Sequence, residues 1–229
     1  MKVYFLRCIR ILKRQLQKFL KFKKMHYLYM KKNNKIILSS NNQNKIAEFK
    51  KILSPYNINL IPVSKYTSLS PKENGRTFRE NALIKARFAA EKTNWNYSYL
   101  SDDSGLCIKV LNDFPGIYSA RIVKENNYNL AFETISDKLK KLKKVPTYIK
   151  AEFICSLAFI NHLKEEKVYQ GKLIGRIKLP AKGDHGFGYD PIFIPKGMKS
   201  TLAELKVEEK NTLSHRAMAV KSFINDVFV

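Results

Sequence analysis

Regular apolar spacing begins at Lys35 in this 229-residue chain. The β-branched run 35–39 reads as a strand. A polar stretch follows, Ser40-Asn41-Asn42-Gln43-Asn44, and then Ile46, Phe49 and Leu53 recur at helical spacing until Pro55 closes the helix. Residues 58–63 read as a second strand, so the regular part opens β-α-β. A polar loop containing Pro71 and Gly75 leads to Thr77-Phe78-Arg79-Glu80, a capping-box pattern that starts an alanine-rich helix running to Glu91. Next, Tyr97 to Leu100 reads as a strand, Ser101-Asp102-Asp103-Ser104-Gly105 as the turn at its end, and 106–111 as the strand paired back onto it. Phe114-Pro115-Gly116 marks a further turn, and Ala131, Ile135, Leu139 and Leu142 mark a helix. Residues 152–160 and 167–173 form a hairpin through Asn161-His162, with 174–179 continuing that sheet. A glycine-rich loop, Gly183 to Asp190, precedes a short strand at 192–194. Ala217, Val220, Ile224 and Val227 make one apolar face of a C-terminal helix. Strands and helices mixed without repeats, and without an internal linker, predict an α/β fold in one domain.

Composition changes this picture only at the N-terminus. At 45% hydrophobic the chain can bury a core and is not of the disordered class. The net charge is +24, and the first 35 residues hold twelve Lys and Arg with no acid. This basic, partly amphipathic segment admits three readings: a targeting segment, an arm for a membrane surface or nucleic acid, or an extension outside the fold. We take residues 1–32 as an extension and 33–229 as the single domain, which leaves organelle targeting open beside a cytoplasmic location. The charge elsewhere is spread thinly as Lys beside Asn and Ile, a weak signal for nucleic-acid binding. No apolar run reaches the roughly 18–20 residues that span a bilayer. Cys8, Cys107 and Cys155 lack paired spacing, and the four histidines lack ligand spacing, which argues against a disulfide framework and a structural zinc site.

Four segments carry candidate chemistry. Ser40 to Lys45 lies between a strand and a helix N-terminus, where backbone N–H groups, the helix dipole and the Lys45 ammonium suit a phosphate; a plain Asn-rich turn has the same composition. Asp102 and Asp103 are adjacent carboxylates. With Glu80 they would make a hard-oxygen site for Mg²⁺, although Glu80 also fits as the capping residue of its own helix. In Gly183 to Asp190, glycines flank Phe187, which with Tyr189 offers faces for a base to stack on. The segment Glu208 to Arg216 opens the last helix, with Ser214 placed as its N-cap; this puts His215 and Arg216 in a first turn where cations oppose the helix dipole, and that conflict suggests a held anion or carbonyl.

In this order the motifs resemble the inosine-triphosphate pyrophosphatase family, the XTP/dITP diphosphatases. The residues that carry the resemblance are Ser40 to Lys45, Thr77-Phe78-Arg79-Glu80-Asn81-Ala82 with Lys85-Ala86, Asp102 to Leu106, Pro115 to Arg121, Gly186 to Pro191, and Lys210-Asn211 with Ser214-His215-Arg216. The chain departs from it at Asn44, where bacterial members often have Gly, and at Ser40-Asn41, where they have Thr-Gly. The resemblance implies an elongated mixed sheet flanked by helices, two lobes around a cleft, and a homodimer. It also implies Mg²⁺-dependent cleavage of dITP, ITP or XTP to the monophosphate and pyrophosphate. On this reading Asp103 is general base and metal contact, and Glu80 the second metal ligand. Ser40, Asn41, Asn42, Gln43, Asn44, Lys45 and Ser104 bind phosphate. Phe187, Gly188, Tyr189, Asp190, Lys210, His215 and Arg216 hold base and nucleotide. The alternatives are a Maf-like pyrophosphatase and a basic nucleic-acid-binding protein; the second has no need of the carboxylates.

Overall fold

Among the described residues seven strands form one mixed sheet, in the spatial order Asn59–Pro62, Lys35–Leu38, Ser98–Ile108, Ile149–Ile160, Glu166–Ile177, Phe193–Pro195, with the short strand Phe114–Pro115 added to Ser98–Ile108. In this computed structural model, residues 34–123 and 127–228 are described, with the isolated positions Lys13 and Gln17. The extension 1–32, apart from those two positions, lies outside the described residues. The elements are β1 (Lys35–Leu38), α1 (Gln43–Leu53), β2 (Asn59–Pro62), α2 (Phe78–Lys92), β3 (Ser98–Ile108), β4 (Phe114–Pro115), α3 (Tyr128–Lys140), β5 (Ile149–Ile160), β6 (Glu166–Ile177), β7 (Phe193–Pro195), α4 (Val207–Leu213) and α5 (His215–Val227). Contacts divide the chain into two units. Lys35–Ser222 contains the whole sheet. The other unit comprises Met1–Asn34 and Phe223–Val229; in its described part Phe223 meets Phe228 edge-on at 5.6 Å.

β1 runs parallel to both β2 and β3, whereas β3, β5, β6 and β7 alternate antiparallel. The β1-α1-β2 and β2-α2-β3 crossovers step in opposite directions along the sheet, so right-handed connections place α1 and α2 on opposite faces. The alanine stripe of α2 (Ala82, Ala86, Ala89, Ala90) is flat enough to lie against Ile37, Tyr99, Ala158 and Ile160. Farther along the sheet, Ala131, Ile135 and Leu139 of α3 join Leu106, Ile108, Phe153 and Phe193 in a second cluster.

Two expectations need correction. The segment Ser101 to Gly105 is not a turn: β3 continues through it, paired with β5 at every residue from Tyr99↔Ile160 to Ile108↔Ala151. Residues 106–111 are therefore no returning strand; they finish β3 and enter a 3₁₀ turn, Lys109–Leu111. Local propensity disfavours Asp in a strand, but cations from distant helices meet both carboxylates here. The second correction concerns the last helix. Residues 208–213 do not open it; they belong to the separate helix α4, which ends where Ser214 turns extended (ψ 153°). Ser214 then caps α5, its Oγ accepting the Ala217 N–H at 3.1 Å.

The sheet also leaves a gap. Pairing of β1 with β3 stops at Leu38↔Leu100, and β4 covers only Cys107 and Ile108. Between those points, among the described residues, the β1-side edge of β3 has no strand beside it. The gap lies at the carboxyl end of a parallel strand where the crossovers diverge, the usual position for a ligand in an α/β sheet.

Candidate active site

A cavity of about 380 Å³ occupies this gap, within the range for small-ligand sites. Successive residues of a strand face opposite sides of the sheet, and that alternation separates the two aspartates. Asp102 turns toward the α1 side. Its Oδ2 accepts from Lys45 Nζ at 2.9 Å, Ser104 Oγ at 2.9 Å and Arg216 Nη2 at 3.3 Å. Asp103 turns toward α2, where Asn81 Nδ2 reaches Oδ2 at 3.1 Å and Lys85 Nζ reaches Oδ1 at 3.2 Å. Lys85 Nζ also lies 3.1 Å from Glu73 Oε1, so two carboxylates converge on one point.

The two aspartates titrate in opposite directions. Burial alone would raise Asp102, but Lys45 and Arg216, helped by Lys85, outweigh it and hold its carboxyl well below the usual range. Burial dominates at Asp103 and pushes it up against the pull of Lys85 and Lys45, with Glu73 and Asp102 adding to the rise. Asp102 is thus a permanent anion, and Asp103 is the better proton acceptor of the two.

The far end of the cavity is aromatic. Gly186 (φ 78°) and Gly188 (φ 74°) adopt the left-handed backbone that carries the chain around Phe187. Asp190 anchors this loop by accepting the Phe187 N–H at 2.8 Å and pairing with Lys210 at 2.6 Å. Lys210 Nζ also sits 4.6 Å from the Phe187 ring centroid. Tyr189 is buried beside Tyr128 and Phe132, its hydroxyl donating to Ser119 O at 2.7 Å. His215 stacks on Phe153 at 4.8 Å and 10°. Burial, then Arg216 and Lys210, press its pKa well below the ordinary value, so the ring is neutral. Arg216 gives Nη1 to Glu48 at 2.6 Å and Nη2 to Asp102 and Ser104. Buried His215 Nδ1 and Arg216 Nε have no hydrogen-bond partner.

A cavity with carboxylates and lysines at one end and aromatic faces at the other suits a polyphosphate joined to a flat base. The model of the Ham1 family matches residues 36–226. The chain belongs to the Ham1 family. Among its relatives is the dITP/XTP pyrophosphatase of Shewanella oneidensis, 40% identical over 191 residues, covering 82% of this chain and 91% of that protein. That of Campylobacter jejuni subsp. doylei is 41% identical over 196 residues, with 82% and 94% covered. Of solved structures, the HAM1 protein of Coxiella burnetii superposes with a TM-score of 0.75 at 35% identity, covering 83% of this chain and 96% of that one. Membership in the Ham1 family decides against the Maf-like and nucleic-acid-binding alternatives.

For this Ham1-family chain the cavity gathers most of the expected residues: Ser40, Asn41, Asn42, Lys45, Asp103, Ser104, Phe187, Gly188, Tyr189, Asp190, Lys210, His215 and Arg216. It leaves out Gln43 and Asn44, which are exposed first-turn residues of α1. It also leaves out Glu80. That carboxylate is exposed and reaches back to the Arg76 N–H at 2.6 Å, while Thr77 Oγ1 accepts the Glu80 N–H, so capping is its role. The carboxylate beside Asp103 is Glu73, on an irregular loop with no periodicity to mark it. Glu48 also escaped the sequence reading, and Asn81 was named there only as part of a motif, without a role. Glu48 lies one helical turn beyond Lys45, a spacing that could have flagged it, and Asn81 directly follows the capping box.

Proposed function

We propose that this chain is a nucleoside-triphosphate pyrophosphatase acting on dITP, ITP and XTP, releasing the monophosphate and pyrophosphate. The observation that carries this reading is the Glu73–Lys85–Asp103 cluster facing Phe187 and Arg216 across one cavity. The names of its relatives support it, and the span of the family match supports a single catalytic domain. A homodimer and a cytoplasmic location belong to the same reading.

Glu73 and Asp103 fit a divalent metal. Both are carboxylates, and they converge within 3.2 Å of one cation, the Lys85 ammonium. A pair of carboxylates with remaining positions left to phosphate oxygens and water is how Mg²⁺ is usually held. When bound, Mg²⁺ would neutralise the triphosphate and polarise the attacked phosphorus. Glu73 replaces Glu80 as its second ligand in this proposal.

Asp103, with its raised pKa and its Oδ2 steadied by Asn81, takes the proton of the water that attacks the α-phosphorus. Lys85 and Lys45 face the phosphates. Asn42, whose side chain caps α1 by accepting the Lys45 N–H at 3.1 Å, shapes the turn that receives them. Phe187 stacks on the base. Discrimination arises at purine position 6, where a carbonyl accepts and the adenine amino group does not. Of the donors expected there, the Phe187 N–H already serves Asp190, and the Arg216 Nη atoms serve Glu48, Asp102 and Ser104. Arg216 Nε–H is a buried donor without a partner, and neutral His215 stands beside it. Leaving such a donor facing an amino group costs on the order of 1–3 kcal/mol.

The test is incubation with Mg²⁺ and dITP, XTP, dATP or dGTP, reading pyrophosphate against orthophosphate. We expect pyrophosphate from dITP and XTP, at rates at least about tenfold above dATP. Orthophosphate as product, or equal rates on dATP and dITP, would sink the proposal.

A further inference from the structure

The segment from Gly116 to Arg121 has no role in the reaction outlined above, yet it touches both ends of the site. Ser119 is fixed to the carboxylate strand, its Oγ accepting the Leu106 N–H at 3.0 Å. A Cβ on Gly105 of that strand would collide with Gly116 O and Ser119 Oγ, so the two backbones are in direct contact. The Ser119 carbonyl receives the Tyr189 hydroxyl from the base loop. Two residues on, Arg121 Nη2 donates to the carbonyl oxygen of Glu73 at 2.6 Å, and its guanidinium lies 5.1 Å from the Tyr118 ring centroid.

Glu73 needs such support. It lies on a loop without regular structure, between the 3₁₀ turn Val63–Lys65 and α2. Its neighbours are tied elsewhere: Ser70 to Asn41, Gly75 N–H to Asn81, and Arg76 N–H to Glu80. The bond from Arg121 is the one that reaches the main chain of Glu73 itself. A charged donor on a carbonyl is among the stronger hydrogen bonds, and a ring packed against the guanidinium restricts its motion.

We propose that Arg121 is a positioning residue for the metal pair: by holding the Glu73 main chain to a segment locked onto β3, it keeps the Glu73 carboxylate opposite Asp103. This rests on the reading of Glu73 and Asp103 as metal ligands. Arg121 touches neither the metal nor the reacting atoms in this role, so its loss weakens metal binding and leaves the chemical step to recover as metal is added.

The experiment uses the full chain and Mn²⁺, whose free aqua ion is counted by electron paramagnetic resonance, in the presence of a non-hydrolysable α,β-imido analogue of dITP. Arg121→Ala should bind Mn²⁺ about tenfold more weakly, and its Mg²⁺ requirement for pyrophosphate release should rise in parallel. Arg121→Lys, which can still donate to the carbonyl, should recover part of both. Glu73→Gln separates the two readings. If it retains wild-type Mn²⁺ binding, Glu73 is no ligand and the underlying assignment fails. If it loses Mn²⁺ while Arg121→Ala binds normally, the Arg121 proposal alone is overturned. A raised KM for dITP in Arg121→Ala with unchanged Mn²⁺ binding also overturns it, in favour of direct contact with phosphate.

Discussion

Asp102 and Asp103 are chemically identical neighbours whose surroundings give them opposite duties. Asp102 is fully buried against Lys45 and Arg216, and removing one member of such a group leaves buried charge uncompensated. Asp102→Asn should therefore lose about 3 kcal/mol of stability in urea unfolding at pH 7. Because its folded-state pKa is depressed, the stabilisation is fully present above the unfolded value near ~3.9 and is lost as the pH falls toward the folded one. Asp103 has the reverse sign. Its folded-state pKa is raised, so its favourable contribution exists below the unfolded value and is lost as the pH rises through the folded one. At pH 7 the ionised side chain is destabilising, as its proposed role as base would require. Asp103→Asn should abolish pyrophosphate release while leaving stability equal or improved. In the metal-free wild type, carbon-13 NMR should show the Asp103 carboxyl titrating above the ordinary carboxylate range. Activity in Asp103→Asn within tenfold of wild type would remove Asp103 as the base.

At the scale of elements, the least tolerant junction is β6 against the start of α5. A Cβ on Gly171 would strike His215 O and approach Ala219 N to 2.6 Å. Both are backbone atoms in a helix whose first turn carries His215 and Arg216. Gly171→Ala should cost about 2 kcal/mol in stability and raise KM for dITP by displacing that turn; an unchanged melting temperature and KM would refute this. Nothing in the sequence singled Gly171 out, since a lone glycine in a strand pattern does not name what approaches it. The elements with strong period were legible: the β-α-β opening, the alanine stripe of α2, the β5–β6 hairpin and the apolar face of α5 all follow from apolar spacing. β3 was not. Its middle is Asp-Asp-Ser-Gly, a turn by composition, and what makes it a strand is Lys45 and Arg216, 57 and 114 residues away. The cavity was legible where a motif reaches it, as at Asp103, Phe187 and Lys210. Glu80 lies outside the cavity and satisfies a local cap, and Glu73, which only tertiary contact brings there, carried no signal in the sequence.

For the whole molecule, the net charge of +24 acts at a distance and the site acts at contact. Raising ionic strength from ~0.05 to ~0.3 M shortens the Debye length below ~8 Å and screens the attraction of a polyanionic substrate. It scarcely reaches Lys85 or Arg216, which are buried. We expect kcat/KM for dITP to fall severalfold across that range while kcat stays constant; an equal fall in kcat would place the screened charges inside the site. The buried ion group also constrains how the protein is made. Arg216 lies 168 residues after Glu48 and 114 after Asp102, and it compensates both. At ~5–20 residues per second of synthesis, roughly 6–23 seconds separate the appearance of Asp102 from that of Arg216. Throughout that interval Lys45 can already meet Asp102, but Glu48 lacks its guanidinium partner. The last helix therefore completes the buried ion group, and a chain ending before Arg216 should be less stable than the full chain in urea unfolding.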